Sequence, residues 1–354
     1  MLDYFSSRNY DALVKLREIV QSQLPSFCNE YFIGISNNTS PLTRLGYARD
    51  LSLFFNYLTT VNFNFKGFEI DKFLMKDLAL VSPSDIEQFL EYISYYKDEN
   101  GKVHTNNDKA KARKLSTIRS MFKYFYNKED LEYDVSAKVS RPKLHEKEII
   151  RLDLHETERM LTYVDSGTGL SKHQQDFHKI TQLRDTAMIT LFLGTGIRIS
   201  ECVGLNIEDV NIPNREFTVT RKGGNRVILY MSEDVAIALD RYLIERNNNP
   251  KIDKKERAFF VSLQGKRMGV RATQKLVKKY SSIATPLKKI TPHKLRSKFG
   301  NNLYNQTKEI YVVAEVLGHK VINTTKKHYA AQSEQIREDA LKNVVLSPDD
   351  LKNT

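Results

Sequence analysis

Six residues in the second half of the chain could handle an anion, Arg198, Lys222, His293, Arg296, His319 and Tyr329, and a seventh, Glu201, could support them. Arg198 follows Gly194-Thr195-Gly196 and opens a short helical stretch, Ile199 to Val203. A guanidinium at a glycine-permitted bend can face a phosphate through two parallel hydrogen bonds. Glu201, three residues on, shares its helical face and could orient it, although the same spacing suits an ordinary surface ion pair. His293 and Arg296 follow Pro292 at a helix start. Their spacing puts them on one face beside the partly positive helix N-terminus, which attracts an anion. Gly318 suits a helix C-cap that turns the chain and presents His319. Lys222 stands at the tip of a glycine hairpin, and Tyr329, one of 18 tyrosines, ends the run Thr324-Thr325-Lys326-Lys327-His328-Tyr329. Taken singly, each has an ordinary structural role to fall back on. Together they are cations, imidazoles and a phenol, a set suited to a phosphate.

Other chemistries lack their residues. There is no Gx4GK[ST] loop, no HExxH and no paired-carboxylate motif, and Gly194-Thr195-Gly196 is a lone GxG without a βαβ context. Neither a cofactor nor a metal is expected. Cys28 and Cys202 are the two cysteines. Without a CxxC or paired histidines they read as reduced, structural thiols of a cytoplasmic protein. No stretch of about 18 apolar residues exists, so no membrane insertion is expected. Asp3, Asp11 and Glu18 leave the first twenty residues unlike a signal peptide.

The elements that must position the seven residues follow from apolar spacing. Glu156 to Tyr163, Gln182 to Leu193, Asp234 to Arg246 and most of Val270 to about Val344 read as helices. Glu216 to Thr220 and Val227 to Tyr230 read as strands joined by the turn Arg221-Lys222-Gly223-Gly224-Asn225-Arg226, and Ala258 to Val261 as a further strand. In the first half, Thr43 to Leu58 reads as a helix with Leu45, Ala48, Leu51, Phe54, Phe55 and Leu58 on one face. Ser82-Pro83-Ser84-Asp85 starts another helix. Asp108 to Tyr126 is a long helix with Leu115, Ile118, Met121, Phe122 and Phe125 on one side and Lys109, Lys111, Arg113, Lys114 and Arg119 on the other. The aromatic stripes are core packing. Around Ser136 to Ile150 the periodicity lapses, and Arg141-Pro142-Lys143 blocks helix continuation. The expected organisation is a helical domain over 1–140, a linker over 141–150, and a helical domain with a small antiparallel sheet over 151–354. At 354 residues, 40% hydrophobic and 28% charged, the chain can bury two cores of ordinary size.

Charge is uneven. The chain carries +12, but residues 1–150 are nearly balanced, with 21 basic side chains against 20 acidic. Residues 251–300 hold 15 basic against 2 acidic, and 102–128 hold eight basic against Asp108 alone. A solvated surface accounts for any one such run. Two basic zones in folded segments point to a nucleic acid, through Lys109, Lys111, Arg113, Lys114 and Arg119 in the first and Lys275, Lys278, Lys279 and Lys294 in the second.

Order and spacing together decide between the structural and chemical roles. The strings Gly194-Thr195-Gly196-Ile197-Arg198-Ile199-Ser200-Glu201, Thr220-Arg221-Lys222-Gly223-Gly224-Asn225-Arg226, Thr291-Pro292-His293-Lys294-Leu295-Arg296 and Leu317-Gly318-His319, followed by Tyr329, closely resemble the tyrosine recombinase (phage integrase) family. Length, hairpin and the Thr-Pro-His-Lys-Leu-Arg string resemble its Xer type, especially the single-recombinase type of streptococci and lactococci. Ser297 stands where many members have a second histidine, and His319 to Tyr329 is ten residues where Xer members commonly show nine.

The resemblance implies a mainly α fold: a SAM-like helical core-binding domain, then a catalytic domain with a small antiparallel sheet. It implies that Arg198, Lys222, His293, Arg296, His319 and the nucleophile Tyr329 are catalytic, with Glu201 supporting. The expected activity is cofactor-independent, site-specific breakage and rejoining of double-stranded DNA through a 3′-phosphotyrosine, in a homotetramer joining two DNA sites. Arg198 and Arg296 would neutralise the nonbridging oxygens. His293 would take the tyrosine proton, Lys222 would protonate the 5′ oxygen and His319 would hydrogen-bond the phosphate. The two basic zones would clamp the duplex through phosphates. A short helix over Ser333 to Val344 would dock on a neighbouring protomer. Chromosome dimer resolution at cell division, with a cell-division or accessory partner, is the expected role. The alternatives are integration or excision of a mobile element and a non-cleaving DNA-binding protein of the same fold.

Overall fold

The computed structural model describes residues 3–98, 100–144, 150–221 and 223–318. Contacts separate the chain into two units, 1–147 and 148–354, each with its own core.

The first unit runs α1 (Tyr4–Gln23), α2 (Cys28–Gly34), α3 (Pro41–Thr60), α4 (Met75–Ala79), α5 (Pro83–Tyr92), β1 (Tyr95–Lys97), β2 (Val103–Thr105) and α6 (Asp108–Asn127). The apolar stripes expected for α3 and α6 are buried along their whole length. Each packs on other elements through aromatic edges, Phe54 of α3 on Phe89 of α5 at 5.1 Å and Phe125 of α6 on Phe27, just before α2, at 5.5 Å. α5 begins in a reciprocal cap: the Ser82 hydroxyl accepts from the Asp85 amide and the Asp85 carboxylate accepts from the Ser82 amide. The sequence indicated neither α1 nor the β1–β2 hairpin, in which Tyr96 pairs with His104 and stacks on it at 5.1 Å. Packing also reaches into the expected lapse after Ser136: Ser136 and Val139 are buried, and Arg119 donates to both of their carbonyls.

The second unit runs α7 (Leu154–Ser166), α8 (Lys172–Thr195), α9 (Ile199–Gly204), β3 (Val210–Asn211), β4 (Glu216–Thr220), β5 (Arg226–Tyr230), α10 (Glu233–Asn248), α11 (Val270–Ala284), α12 (Pro292–Thr307) and α13 (Ile310–Leu317). β3, β4 and β5 form one antiparallel sheet in sequence order, with Thr218 opposite Ile228. The apolar run Ala187 to Leu193 belongs to a longer helix, α8, whose Ala187, Met188, Ile189, Leu191 and Phe192 are wholly buried. Ala258 to Val261 is not a strand. It makes isolated bridges to Asn206 and Arg267 and buries Phe259 and Phe260 against Tyr242. Among the described residues no helix is long and apolar enough to cross a membrane.

Candidate active site

The site is built around the C-terminal end of α13. Ile310, Val313 and Leu317 pack α13 on Phe299, Leu303 and Tyr304 of α12. Gly318 closes α13 in the left-handed region at φ +60°, where a glycine carries no side-chain penalty. A helix end leaves its last carbonyls without intrahelical partners and carries partial negative charge. Here those carbonyls are taken by arginines. Arg221 Nη2 donates to Val316 O at 2.9 Å and Nη1 reaches Glu315 O at 3.4 Å. Arg296 donates to Leu317 O, and Arg198 Nη2 to Gly318 O at 2.8 Å.

Each arginine reaches this point by a different local device. α8 ends at Gly196, φ +62°, where a Cβ would come within 2.4 Å of the Phe299 ring. The chain then turns through buried Ile197, and Arg198 sits at the N-cap of α9. The Glu201 carboxylate, 3% exposed, accepts from the Arg198 amide at 2.9 Å and from its Nη1 at 2.8 Å, so one group caps the helix and aims the guanidinium. Arg296 stands one turn into α12, buried, with its other donor on Gly196 O. His293, three residues earlier on the same face, is exposed in the first turn of α12 beside that helix's positive end. Arg221 leaves the end of β4. Burial and neighbouring Arg198 pull its pKa below the usual arginine value, against the pull of Glu201.

Among the described residues, three guanidiniums thus share one helix end with one buried carboxylate, Glu201. Such a concentration of positive charge favours an anion, and a planar fork suits a phosphodiester. Of the residues marked out in the sequence, the structure brings Arg198, Glu201 and Arg296 together and sets His293 on the Arg296 helix. Lys222, His319 and Tyr329, and the expected helix over 333–344, lie outside the described residues. The sequence reading missed Arg221. It stands inside a quoted string, but its partners are 94 and 95 residues away, and no local spacing carries that signal.

The nine candidate DNA-binding cations fare unequally. Lys109, Lys275 and Lys278 are exposed, and Lys294 is half-buried on α12. Five others have structural partners within their own unit, which corrects the picture of an all-cationic outer face on α6. Lys114 is buried and donates to Asn106 at 2.7 Å, with burial lowering its pKa. Arg113 forks onto buried Asp50, and Arg119 is committed to the Ser136 and Val139 carbonyls. Lys111 donates to Ser94 at 3.0 Å. Lys279 bonds the buried Asp185 at 2.8 Å and lies over the Tyr280 ring. In each case a polar group of the same unit accepts from a nearby long cation: the buried carboxylates Asp50 and Asp185, the backbone carbonyls of Ser136 and Val139, the Asn106 amide oxygen and the Ser94 hydroxyl.

Comparison with known proteins defines the class. Residues 151–335 match the phage integrase family, and the chain belongs to that family: it is a tyrosine recombinase, a site-specific DNA recombinase. Within the family it is of the Xer type. It is 32% identical over 311 residues to the tyrosine recombinase XerC of Caldanaerobacter subterraneus subsp. tengcongensis, covering 86% of this chain and 82% of that protein. To the tyrosine recombinase XerS of Streptococcus thermophilus it is 29% identical over 343 residues, covering 89% and 94%. A solved XerH site-specific recombinase, bound to palindromic difH substrate in a post-cleavage complex, shares the fold at a TM-score of 0.65 and 19% identity, over 93% of this chain and 92% of that one. The mainly helical fold with small antiparallel sheets is that of this class.

Proposed function

We propose that this recombinase cuts and reseals double-stranded DNA through a covalent intermediate on Tyr329. The Tyr329 oxygen attacks the phosphorus, the bond to the 5′ oxygen breaks, and a 3′-phosphotyrosine holds the bond energy until another strand's 5′ hydroxyl reverses the step. Arg198 and Arg296 neutralise the nonbridging oxygens as charge builds. His293 accepts the tyrosine proton, Lys222 gives one to the departing 5′ oxygen, and His319 hydrogen-bonds the phosphate. The observation that carries this reading is the meeting of Arg198, aimed by Glu201, with Arg296 at the end of α13, the helix that leads directly to position 319.

In this proposal the working assembly is a homotetramer on two recombination sites, acting in the cytoplasm with an accessory or cell-division partner. Chromosome dimer resolution is the role the Xer relationship favours; integration or excision of a mobile element is the alternative. The test is covalent capture: the protein and its Tyr329→Phe variant are expressed in the source cells, and DNA linked to protein is sequenced. A sharp peak near the replication terminus, lost in the variant, is expected. Peaks at the ends of an element would replace the role with integration. Adducts that persist in the variant would assign the nucleophile to another residue, and no adduct from either protein would favour a non-cleaving DNA-binding protein.

A further inference from the structure

Arg221 is anchored at both ends. Its backbone closes the hairpin turn: Arg221 N donates to Asn225 O at 2.8 Å, and Gly224 N donates to Arg221 O at 3.0 Å. The four-residue turn so closed contains Lys222. At the other end its guanidinium holds Val316 O and Glu315 O, the last turn of α13. It fits there because position 318 is glycine: a Cβ on Gly318 would fall 1.7 Å from Arg221 Nη1. The same helix end receives Arg198 and Arg296.

A surface arginine need not be built in this way. The side chain is half-buried, its Nε is buried without a hydrogen-bond partner among the described residues, and a second cation, Arg198, lies close enough to lower its pKa. Each of these features opposes burying a charge. What the arrangement secures is a fixed tie between the base of the hairpin and the platform that carries the two phosphate-facing arginines. A turn with two glycines at φ +105° and +88° has little stiffness of its own, so its placement depends on such a tie.

We propose that Arg221 is a positioning residue for strand cleavage, fixing the Lys222 hairpin against the arginine-bearing end of α13 so that the leaving group is protonated. The proposal rests on the assignment of Lys222 as the proton donor. It predicts a defect that follows the leaving group and not the phosphate, because Arg198 and Arg296 keep their own anchors, Glu201 and Gly196, when Arg221 is shortened.

The test uses the full chain and a duplex carrying the site recovered by covalent capture, made with an ordinary phosphodiester and with a 5′-bridging phosphorothiolate, whose leaving group needs no proton. Arg221→Ala, Arg221→Lys and Lys222→Ala are compared, with thermal unfolding of each. Arg221→Ala is expected to slow cleavage of ordinary DNA by about 30-fold, part of the hundredfold or more that general acid catalysis supplies. On the phosphorothiolate the loss should be no more than about threefold. Arg221→Lys, which reaches one carbonyl in place of two, should fall between. An equal loss on both substrates overturns the proposal, since it places Arg221 on the phosphate or in folding; no loss on either overturns it as well. If Lys222→Ala is itself not rescued by the phosphorothiolate, the proton-donor assignment fails first. If Lys222→Ala is rescued and Arg221→Ala is not, only the positioning role is lost.

Discussion

Glu201→Gln asks whether the ion pair that aims Arg198 does more than cap a helix. The carboxylate is 3% exposed and accepts from two donors of Arg198, the amide at 2.9 Å and Nη1 at 2.8 Å. Glutamine is nearly isosteric but offers one acceptor oxygen; with that oxygen on the amide, its own NH2 faces the guanidinium, donor against donor. A buried donor left unmatched costs about 1–3 kcal/mol, and breaking a fully buried ion pair costs about 3–5 kcal/mol. The Arg198 side chain is 31% exposed, so water partly re-solvates it and the lower range applies, roughly 2 kcal/mol. For a unit the size of residues 148–354, this lowers Tm by about 4–8 °C. Loss of aim at the phosphate should also cut covalent capture by about tenfold to a hundredfold, the usual scale for a misplaced catalytic group. Calorimetry of the variant beside the parent protein, with capture measured on the same preparations, reads both effects. A Tm shift under about 1 °C with unchanged capture would refute the argument, because Glu201 would then orient nothing.

Two further outcomes test the packing rather than the chemistry. Asp185 is 1% exposed and accepts from Tyr280 Oη at 2.8 Å, Lys279 Nζ at 2.8 Å and Arg184 Nη2 at 2.7 Å; Asp185→Asn leaves two cations without their counterion and should cost about 3–5 kcal/mol, read as a lower urea midpoint of the second unit with DNA affinity retained. Burial works to raise the Asp85 pKa, but hydrogen bonds from Ser82, Asn62 and Asn64 outweigh it and hold the carboxyl below the usual value of 3.8. A depressed folded pKa means that the stability it contributes is complete above the unfolded value and disappears as pH falls through the folded one, so Asp85→Asn should flatten the acid limb of the stability curve below pH of about 4, and an unchanged limb would show that Asp85 is not the group titrating there.

Sequence periodicity located α3, α6 and α10 to within two residues at each end because each buries a broad apolar stripe. It missed α1, whose buried face is the narrow series Ala12, Leu16 and Val20 among charged neighbours, and the polar first turns of α8, where only His178 and Thr181 are buried. β1 and β2 are three residues each, too short for alternation to register. Ala258 to Val261 shows the opposite error: a four-residue apolar run has no period, and burial alone does not make a strand. At the site, Arg198 with Glu201 and His293 with Arg296 were legible because each pair lies within one helical turn. The convergence of Arg198 and Arg296 on the Gly318 and Leu317 carbonyls was not. The bonds that create it span 120 residues from Arg198 and 21 from Arg296, and they are made to backbone carbonyls, which every residue has.

A count of basic residues overstates the charge that is free to meet a phosphate. The counterions released on binding are those condensed on the DNA, and a cation whose head is already held by a group of its own unit is less free to reach a phosphate and displace them, so it contributes little to salt-dependent affinity. That removes Lys111, Arg113, Lys114, Arg119 and Lys279 from the electrostatic footprint, although each raised the local charge that suggested DNA. α11 shows what is left. Thr273, Leu276, Val277, Tyr280 and Ala284 face its core, while Arg271, Lys275 and Lys278 are exposed at spacings of four and three on the outer face. This places three cations on one stripe of a helix whose other face is locked into the unit, the arrangement in which side-chain charge is both available and fixed in direction. Arg271 was not among the residues marked out from the sequence, whereas Lys279 was. The difference lies in the helical phase: at position 279 the side chain turns back toward Asp185, and at 271 it does not.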